Sequence, residues 1–414
     1  MRFHCLSLRA SVRTARPMFS HRRGNVLLMT AFLMVGLMGL LAFAVDLGVV
    51  CVARNQAQRA ADAAALAAGW ELVNDERIKG NNALVYQLMR DRAIWYAQDN
   101  EVINAGTVVL PNAENEPDGD VVIGQLTNPA DWSETLNTAN PAHFNAVTIR
   151  IHRSDARNSG IGMFFSRIFG RNTSNTGAEA TAIFDDSIDG FRVTEETGNS
   201  GLLPFVVHVD AWQDLILDGN GADQWSYSAQ NGISGAADGL HELVMFPGGG
   251  NGGNGPGNGI GTSSGNGTHQ ITPGNFGTVD IGSANNSTSH LQDLILYGPT
   301  LEDLAYHGGQ LALDPVTGTM ELGGDTGMSV GMESAIGQVK GKGRTIFLYN
   351  AVTGTGNNTV FTIVGFVGVR IVDHRLTGGN KHITVQPAYV TDATALHGTS
   401  GVSYYVGQPI RLVR

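Results

Sequence analysis

Several short stretches hold residue types that could do chemistry. His241-Glu242-Leu243-Val244-Met245 opens like the HExxH of a zinc hydrolase. That chemistry needs two imidazoles one helical turn apart, and Met245 occupies the second position. Gly337 to Lys342, reading GQVKGK, is one residue short of a phosphate-cradling loop, and Gly343 stands where Ser or Thr would hold magnesium. It reads as a basic surface turn. Asp325-Thr326-Gly327 has the form of an aspartic-protease half-site, yet that chemistry needs two carboxylates sharing a proton, and the chain has no second such triplet. Asp185, Ser187 and Asp189 alternate after a strand-like run, and their hard oxygens could hold a cation, although acidic loops of this kind are commonly only solvated. His208 and Asp210 would share one face of a strand, whereas adjacent Asp373 and His374 would point apart. No nucleophile–base–orienter set can be assembled from this spacing, so we expect no enzyme, no metal and no cofactor.

The elements that would position these residues follow from composition. Glycine accounts for 55 of 414 residues and charged residues for 15%, against about 25% in an ordinary soluble domain. This suits a loop-rich β protein outside the cytoplasm. Hydrophobic residues at 42% exclude wholesale disorder. Residues 1–24 carry six arginines and no acid; removing that +6 from the net −11 leaves −17 on the rest. A body so acidic excludes nucleic acid as a partner. The two cysteines, Cys5 and Cys51, lie on opposite sides of an apolar run, so no intrachain disulfide is expected.

That run, Asn25 to Val45, reads NVLLMTAFLMVGLMGLLAFAV and has no charge. About 20 helical residues span a bilayer core of about 30 Å. A cleaved signal peptide or a buried core helix would pass the same test, but the run exceeds the usual h-region of 7–15 residues. Arg22 and Arg23 before it and Asp46 after it place the N-terminus inside and residues 46–414 outside. Gly36 and Gly39 are small enough for a neighbouring membrane helix to approach, though not spaced as GxxxG. A start at Met18 would give a compact basic leader. Residues 46–72, with the alanine run Ala60–Ala68 and no proline, should continue the helix outward as a rod whose alanines pack on a neighbour, with Asp62 on a solvated face.

RRGN, the apolar span, AVDLG and RNQAQRAADAAALAAG together resemble the N-terminal module of the TadE/TadG-like Flp pilus-assembly proteins. Asp46 and Asp62 fall on that family's aspartate positions. Four later stretches, at 238–247, 272–288, 324–338 and 361–378, resemble a planctomycete-type branch of it. The resemblance implies a membrane-anchored envelope protein whose partners are the lipid bilayer and other pilin-like or pilus-assembly subunits. It implies no catalytic residue and no small-molecule substrate. Prepilin peptidase sites resemble Gly followed by Glu at the fifth mature position; here Gly24 is followed at that position by Met29, so a permanent anchor is expected. Some TadG-like proteins carry a von Willebrand A domain with a D-x-S-x-S metal site, which the D-x-S-x-D at 185–189 approximates.

Further along, Leu84, Leu88 and Trp95 predict a helix over 81–100 capped by Asn81 or Asn82. Strands are expected at 107–110, 120–126, 146–154 and 179–184, and a short helix at 162–170. Beyond 201, LLPFVVHVD, TIFLYNAV, VFTIVGFVGVRIV and KHITVQPAYV read as strands. The fold class is α+β: one transmembrane helix, an Ala-rich helical stalk and a mainly β extracytoplasmic body. The organisation is a leader (1–24), membrane helix (25–45), stalk (46–102), small α+β domain (105–196) and β-rich domain (201–414) with a Gly/Asn-rich loop at 248–267. The expected role is structural, with Arg22, Arg23, Gly36, Gly39, Asp46 and Asp62 serving anchoring and helix packing in the inner membrane. The alternatives are an extracytoplasmic binding module, cation-dependent through its acidic loop, and an envelope hydrolase.

Overall fold

A computed structural model describes residues 25–245, 276–283, 287–325, 329–354, 358–378 and 381–413. The basic leader with Arg22 and Arg23, Cys5, Met18 and the loop 248–267 lie outside the described residues.

Helix α1 (Asn25–Gly69) runs unbroken for 45 residues. Proline is absent, and Leu, Met and Ala supply high helix propensity throughout. Its two halves meet different surroundings. From Val26 to Phe43 every large apolar side chain is 57–81% exposed, an all-round apolar surface long enough to cross a bilayer. Beyond it Ala53, Ala57, Ala60, Ala61, Ala64, Ala65 and Ala68 are fully buried. Their spacing draws a wide helical stripe. The rod expected to offer this stripe to a neighbouring subunit instead packs it inside its own chain.

The stripe faces a four-stranded antiparallel sheet. Its order is β1 (Val121–Gly124), β2 (Ala146–Arg153), β5 (Thr176–Ile183) and the C-terminal strand Arg411–Leu412. Val147, Ile149 and Ile151 of β2 turn toward the helices, beside Ala178, Ala180 and Ala182 of β5. Alanine against alanine lets the helix axis approach the sheet closely. At Gly69 a Cβ would lie 2.8 Å from Ile410 Cγ2 and 3.3 Å from the Ala182 methyl, so the end of α1 needs glycine. The opposite face of the sheet pairs Thr148 Oγ1 with Thr181 Oγ1 at 2.8 Å.

After α1 a 3-10 turn (Trp70–Val73) leads to the single turn α2 (Asp75–Ile78) and to α3 (Asn82–Asp99). Asn74 caps α2 by accepting the Glu76 N–H at 3.0 Å. Asn81 stands at the N-cap of α3 but makes no side-chain cap bond; its amide donates to Glu76 instead. The buried face of α3 is Val85, Tyr86, Met89, Ala93 and Ala97, while Leu84 and Trp95 are exposed. The sequence stripe Leu84–Leu88–Trp95 was thus rotated away from the true core face. Residues 107–110 are extended but join no ladder. Asn158 Oδ1 accepts from Val108 N, Asp120 Oδ2 accepts from Leu110 N, and Thr107 Oγ1 donates to Ala97 O.

Two short strands, β3 (Ile161–Gly162) and β4 (Thr173–Ser174), form a hairpin around the 3-10 turn Ser166–Phe169. Then β6 (Ile188–Phe191) pairs with Leu311–Ala312 and Ala395–His397, so hydrogen bonding crosses the boundary drawn near 196–201. β7 (Leu202–His208) pairs with Phe276–Val279, which pairs with Met320–Asp325, and that strand pairs with Thr359–Arg375. Thr359–Arg375 pairs with Gly343–Thr353, which returns in parallel to β7. The path closes on itself, leaving these five strands without a free edge. His382–Pro387 and Leu243–Met245 extend outward from the long strand. Alternation on β7 sends Leu203, Phe205 and Val207 under the helices Thr288–Tyr297 and Glu333–Val339. It sends Leu202 and Val206 to the other face with Phe347, Phe361 and Phe366.

The two parts are joined by Arg370, whose side chain is 9% exposed. It donates to Asp75 at 3.1 Å and stacks 3.7 Å from the Tyr227 ring centre.

Enlarging the alanine stripe tests the inward packing. Ala64→Leu should destabilise the body by about 1–3 kcal/mol through overpacking, whereas Ala63→Leu, at a half-buried position, should cost less. Thermal unfolding of the detergent-solubilised chain reads both. Equal behaviour of the two variants would show that the stripe is not a core face.

Candidate functional site

The stretches suspected of chemistry hold structural positions. His241 and Glu242 precede a strand rather than lie on a helix, and Met245 pairs with Ile383. His241 Nδ1 lies 2.9 Å from Gly221 O, and the buried Glu242 carboxylate accepts from Gln224 N and Trp225 N at 2.9 Å each. Burial raises its pKa above the usual carboxylate value. Lys340 sits 5.3 Å over the Trp225 ring and 3.5 Å from Asp373. Asp325 ends a strand, and Thr326 and Gly327 lie outside the described residues. Asp210 does not share a strand face with His208, because the strand ends there. His208 Nδ1 accepts from Asp210 N at 3.2 Å and caps the following helical turn.

The two carboxylates of the suspected cation loop are occupied by protein donors. Asp185 meets His397 at 2.9 Å and Arg411 at 3.1 Å, and Asp189 accepts from Ser400 N and Gly401 N. Among the described residues no group of three or more His, Cys, Asp or Glu could hold a metal ion. A pocket of about 250 Å³ is lined by His307, Gln310, Ala312, Met320, Glu321 and Leu322. Burial pushes the His307 pKa down, its Nε2 meets Asp280 O at 3.1 Å, and Glu321 accepts from Thr362. Nothing in it pairs a nucleophile with a base.

The arrangement that concentrates interactions is the junction between the apolar half of α1 and the body. Asp46, one residue beyond the apolar run, is only 2% exposed. Its Oδ1 accepts from Phe164 N at 2.8 Å and Phe165 N at 3.2 Å. Its Oδ2 accepts from Ser166 N at 2.7 Å and Ser166 Oγ at 2.6 Å, with Phe165 N at 3.2 Å. The 3-10 turn Ser166–Phe169 has no cap from Phe165, its own N-cap residue. A carboxylate 120 residues earlier in the chain therefore satisfies its free N–H groups. The Ser166 hydroxyl, with the backbone N–H groups of Phe164, Ser166 and Phe165, holds the Asp46 pKa down to about 2 against an opposing desolvation. Beside the clamp, Phe43, Asp46, Leu47, Val50, Met163, Arg171 and Asn175 are among the residues lining a groove of about 530 Å³.

Asp62 is half-buried and accepts from Gln58 Nε2 at 2.8 Å, and the same nitrogen lies 3.0 Å from Glu179 O on β5. It steadies the helix–sheet contact through Gln58, a specific role where a solvated face was expected. Gly36 and Gly39 lie on the bare half of α1, where an added Cβ would meet nothing within 4 Å. Cys51 is an exposed free thiol. The sequence marked Asp46 by its place after the apolar run; nothing local could have marked Phe164–Ser166 as its partners.

These features define a protein with one N-terminal helix of membrane-crossing length built into a predominantly β body. Residues 24–71 match the family model described as "Putative Flp pilus-assembly TadE/G-like", so this N-terminal module is similar to that family. Neither curated proteins nor solved structures yield a match.

The clamp gives a pH dependence of definite sign. A carboxyl whose folded pKa lies below its ordinary 3.8 stabilises the docked loop above that value and ceases to do so as pH falls toward 2. Amide exchange at Phe164–Ser166, corrected for intrinsic rates, should show protection at pH 5 that fades below pH 4. Asp46→Asn should lose it already at pH 5. Unchanged protection in that variant would refute the clamp.

Proposed function

We propose that the chain is a membrane-anchored, pilin-like envelope protein with a structural or assembly role in a Flp (Tad) pilus-type system. It crosses the inner membrane once, N-terminus in the cytoplasm, with the body in the periplasm or envelope. The observation that carries this reading is the division of the family-matching helix. Its second half is used up as core of its own body, while its first half is an apolar cylinder unpartnered among the described residues. Helix packing with other subunits therefore falls on residues 25–45, where Gly36 and Gly39 allow close approach, and not on the alanine run. The body contributes extracytoplasmic protein contacts. Arg22 and Arg23 favour the N-in orientation.

Capture of the tagged protein from its native membrane in mild detergent should recover a pilus ATPase, an outer-membrane secretin or pilin-like subunits. Gly36→Leu combined with Gly39→Leu should reduce that recovery without altering the thermal stability of the body. Recovery of the chain alone, under conditions that preserve known envelope complexes, would defeat the assembly role. Survival of the body in protease-treated spheroplasts, alongside a digested periplasmic control, would defeat the orientation.

A further inference from the structure

The segment Gly162–Gly170, GMFFSRIFG, is built around the 3-10 turn Ser166–Phe169 and presents most of its large apolar side chains outward. Phe164 is 73%, Ile168 80% and Phe169 87% exposed. For three large apolar residues within six positions this is an unpartnered apolar patch. Arg167 and Arg171, both exposed, flank it. Gly170 closes the turn at φ +81°, reversing the chain into β4 so that the tip projects.

The height of this tip along α1 is fixed. Asp46 grips the backbone of Phe164, Phe165 and Ser166, and Phe43, Leu47 and Val50 line the groove beside Met163. At 1.5 Å per residue, Asn25–Val45 spans about 31 Å, close to the hydrocarbon thickness of a bilayer. With that run across the membrane, Asp46 lies at its outer boundary and the patch lies level with it. Aromatic side chains with arginines beside them suit that boundary, rings toward the acyl chains and guanidinium groups toward lipid phosphates.

We propose that the loop Gly162–Gly170 is a second membrane contact. Phe164, Ile168 and Phe169 insert into the outer face of the same bilayer that α1 crosses, and Arg167 and Arg171 meet anionic headgroups. Since α1 is continuous with the core of the body, this one-sided contact fixes the rotation and tilt of the whole body over the membrane. Asp46 acts as a positioning residue: it sets the depth of the loop. The proposal rests on the reading of α1 as a transmembrane anchor, and its test separates the two.

The full chain, with Cys5→Ser and Cys51→Ser, is reconstituted into phosphatidylcholine–phosphatidylglycerol vesicles after introducing one cysteine at a time for a bimane label. The sites are Phe169→Cys at the tip, Val35→Cys in the apolar helix and Val316→Cys, an exposed position on the body. Lipids carrying a nitroxide near the top of the acyl chain report contact. The expected result is quenching at 169 several-fold above that at 316, with quenching also at 35 when the nitroxide sits deeper. Adding Asp46→Ala should bring 169 down toward the level of 316 while 35 stays quenched. Quenching at 169 no greater than at 316, with 35 quenched normally, overturns the loop contact and leaves the anchor standing. Loss of quenching at 35 as well overturns the anchor. A label at 169 shielded from lipid but cross-linking to a second copy makes the patch a subunit interface and also overturns the proposal.

Discussion

The alanine face of α1 against the alanines of β5 is the contact on which the remaining architecture rests. Ala57, Ala61, Ala64 and Ala68 are fully buried in one core with Ala180 and Ala182 of β5, where small side chains on both elements allow close approach. The branched residues that fill the remaining volume, Val147, Ile149 and Ile151, come from the neighbouring strand. Close approach of this kind gains dispersion contacts over a long line while immobilising almost no side-chain rotamers, since alanine has none to lose. It also binds the helix to the chain's far end: Ile410 meets Gly69, and Arg411–Leu412 supplies the sheet's last strand. The N-terminal helix and the C-terminal residues thus close one core.

That closure shows how far the sequence could be read. Where a segment was long and its pattern strong, its reading matched the fold. The apolar run gave a helix, AVTIRIHRS gave β2 and FTIVGFVGVRIV gave the long central strand. Each carries its own signal, period two or unbroken apolarity. The short strands Phe276–Val279 and Met320–Asp325 complete the closed ring yet read FGTV and MELGGD, in which glycine hides any alternation. Their strand state comes from the neighbours on either side. The stripe on α3 failed for a related reason. Leu84, Leu88 and Trp95 recur at helical spacing, but the buried positions are Val85, Tyr86, Met89, Ala93 and Ala97, a face chosen by packing with distant parts of the chain.

The junction residues follow the same division. The place of Asp46 after the apolar run was legible, and so was its charge. Its function depends on a turn 120 residues away that lacks a cap of its own. The carboxylates of the acidic loop show the converse. Asp185 and Asp189 looked like cation ligands because alternation brings them to one side, yet the chain returns near residues 397–411 to fill them with His397, Arg411 and two backbone N–H groups. Arg370, reaching across to Asp75 and Tyr227, is a further long-range pair of this type. These particular polar groups are satisfied over long sequence separations, and it is those separations that conceal them from local inspection.

A mechanical consequence follows from a helix that is apolar over a membrane-crossing length at one end and core at the other. In a protein tethered by a flexible linker, the body turns freely and a pull on it is lost in the linker. Here no such linker exists between Val45 and Ala53, and the helix leaves the apolar segment already gripped at Asp46. Bending α1 at the boundary would break helical hydrogen bonds and detach the 3-10 turn together, and rotating it would shear the alanine face off β5. Torque or displacement applied to the β body is therefore delivered to the apolar cylinder as a rigid motion. On the proposed function, in which partners pack against that cylinder inside the bilayer, this stiffness would couple events outside the membrane to helix contacts within it.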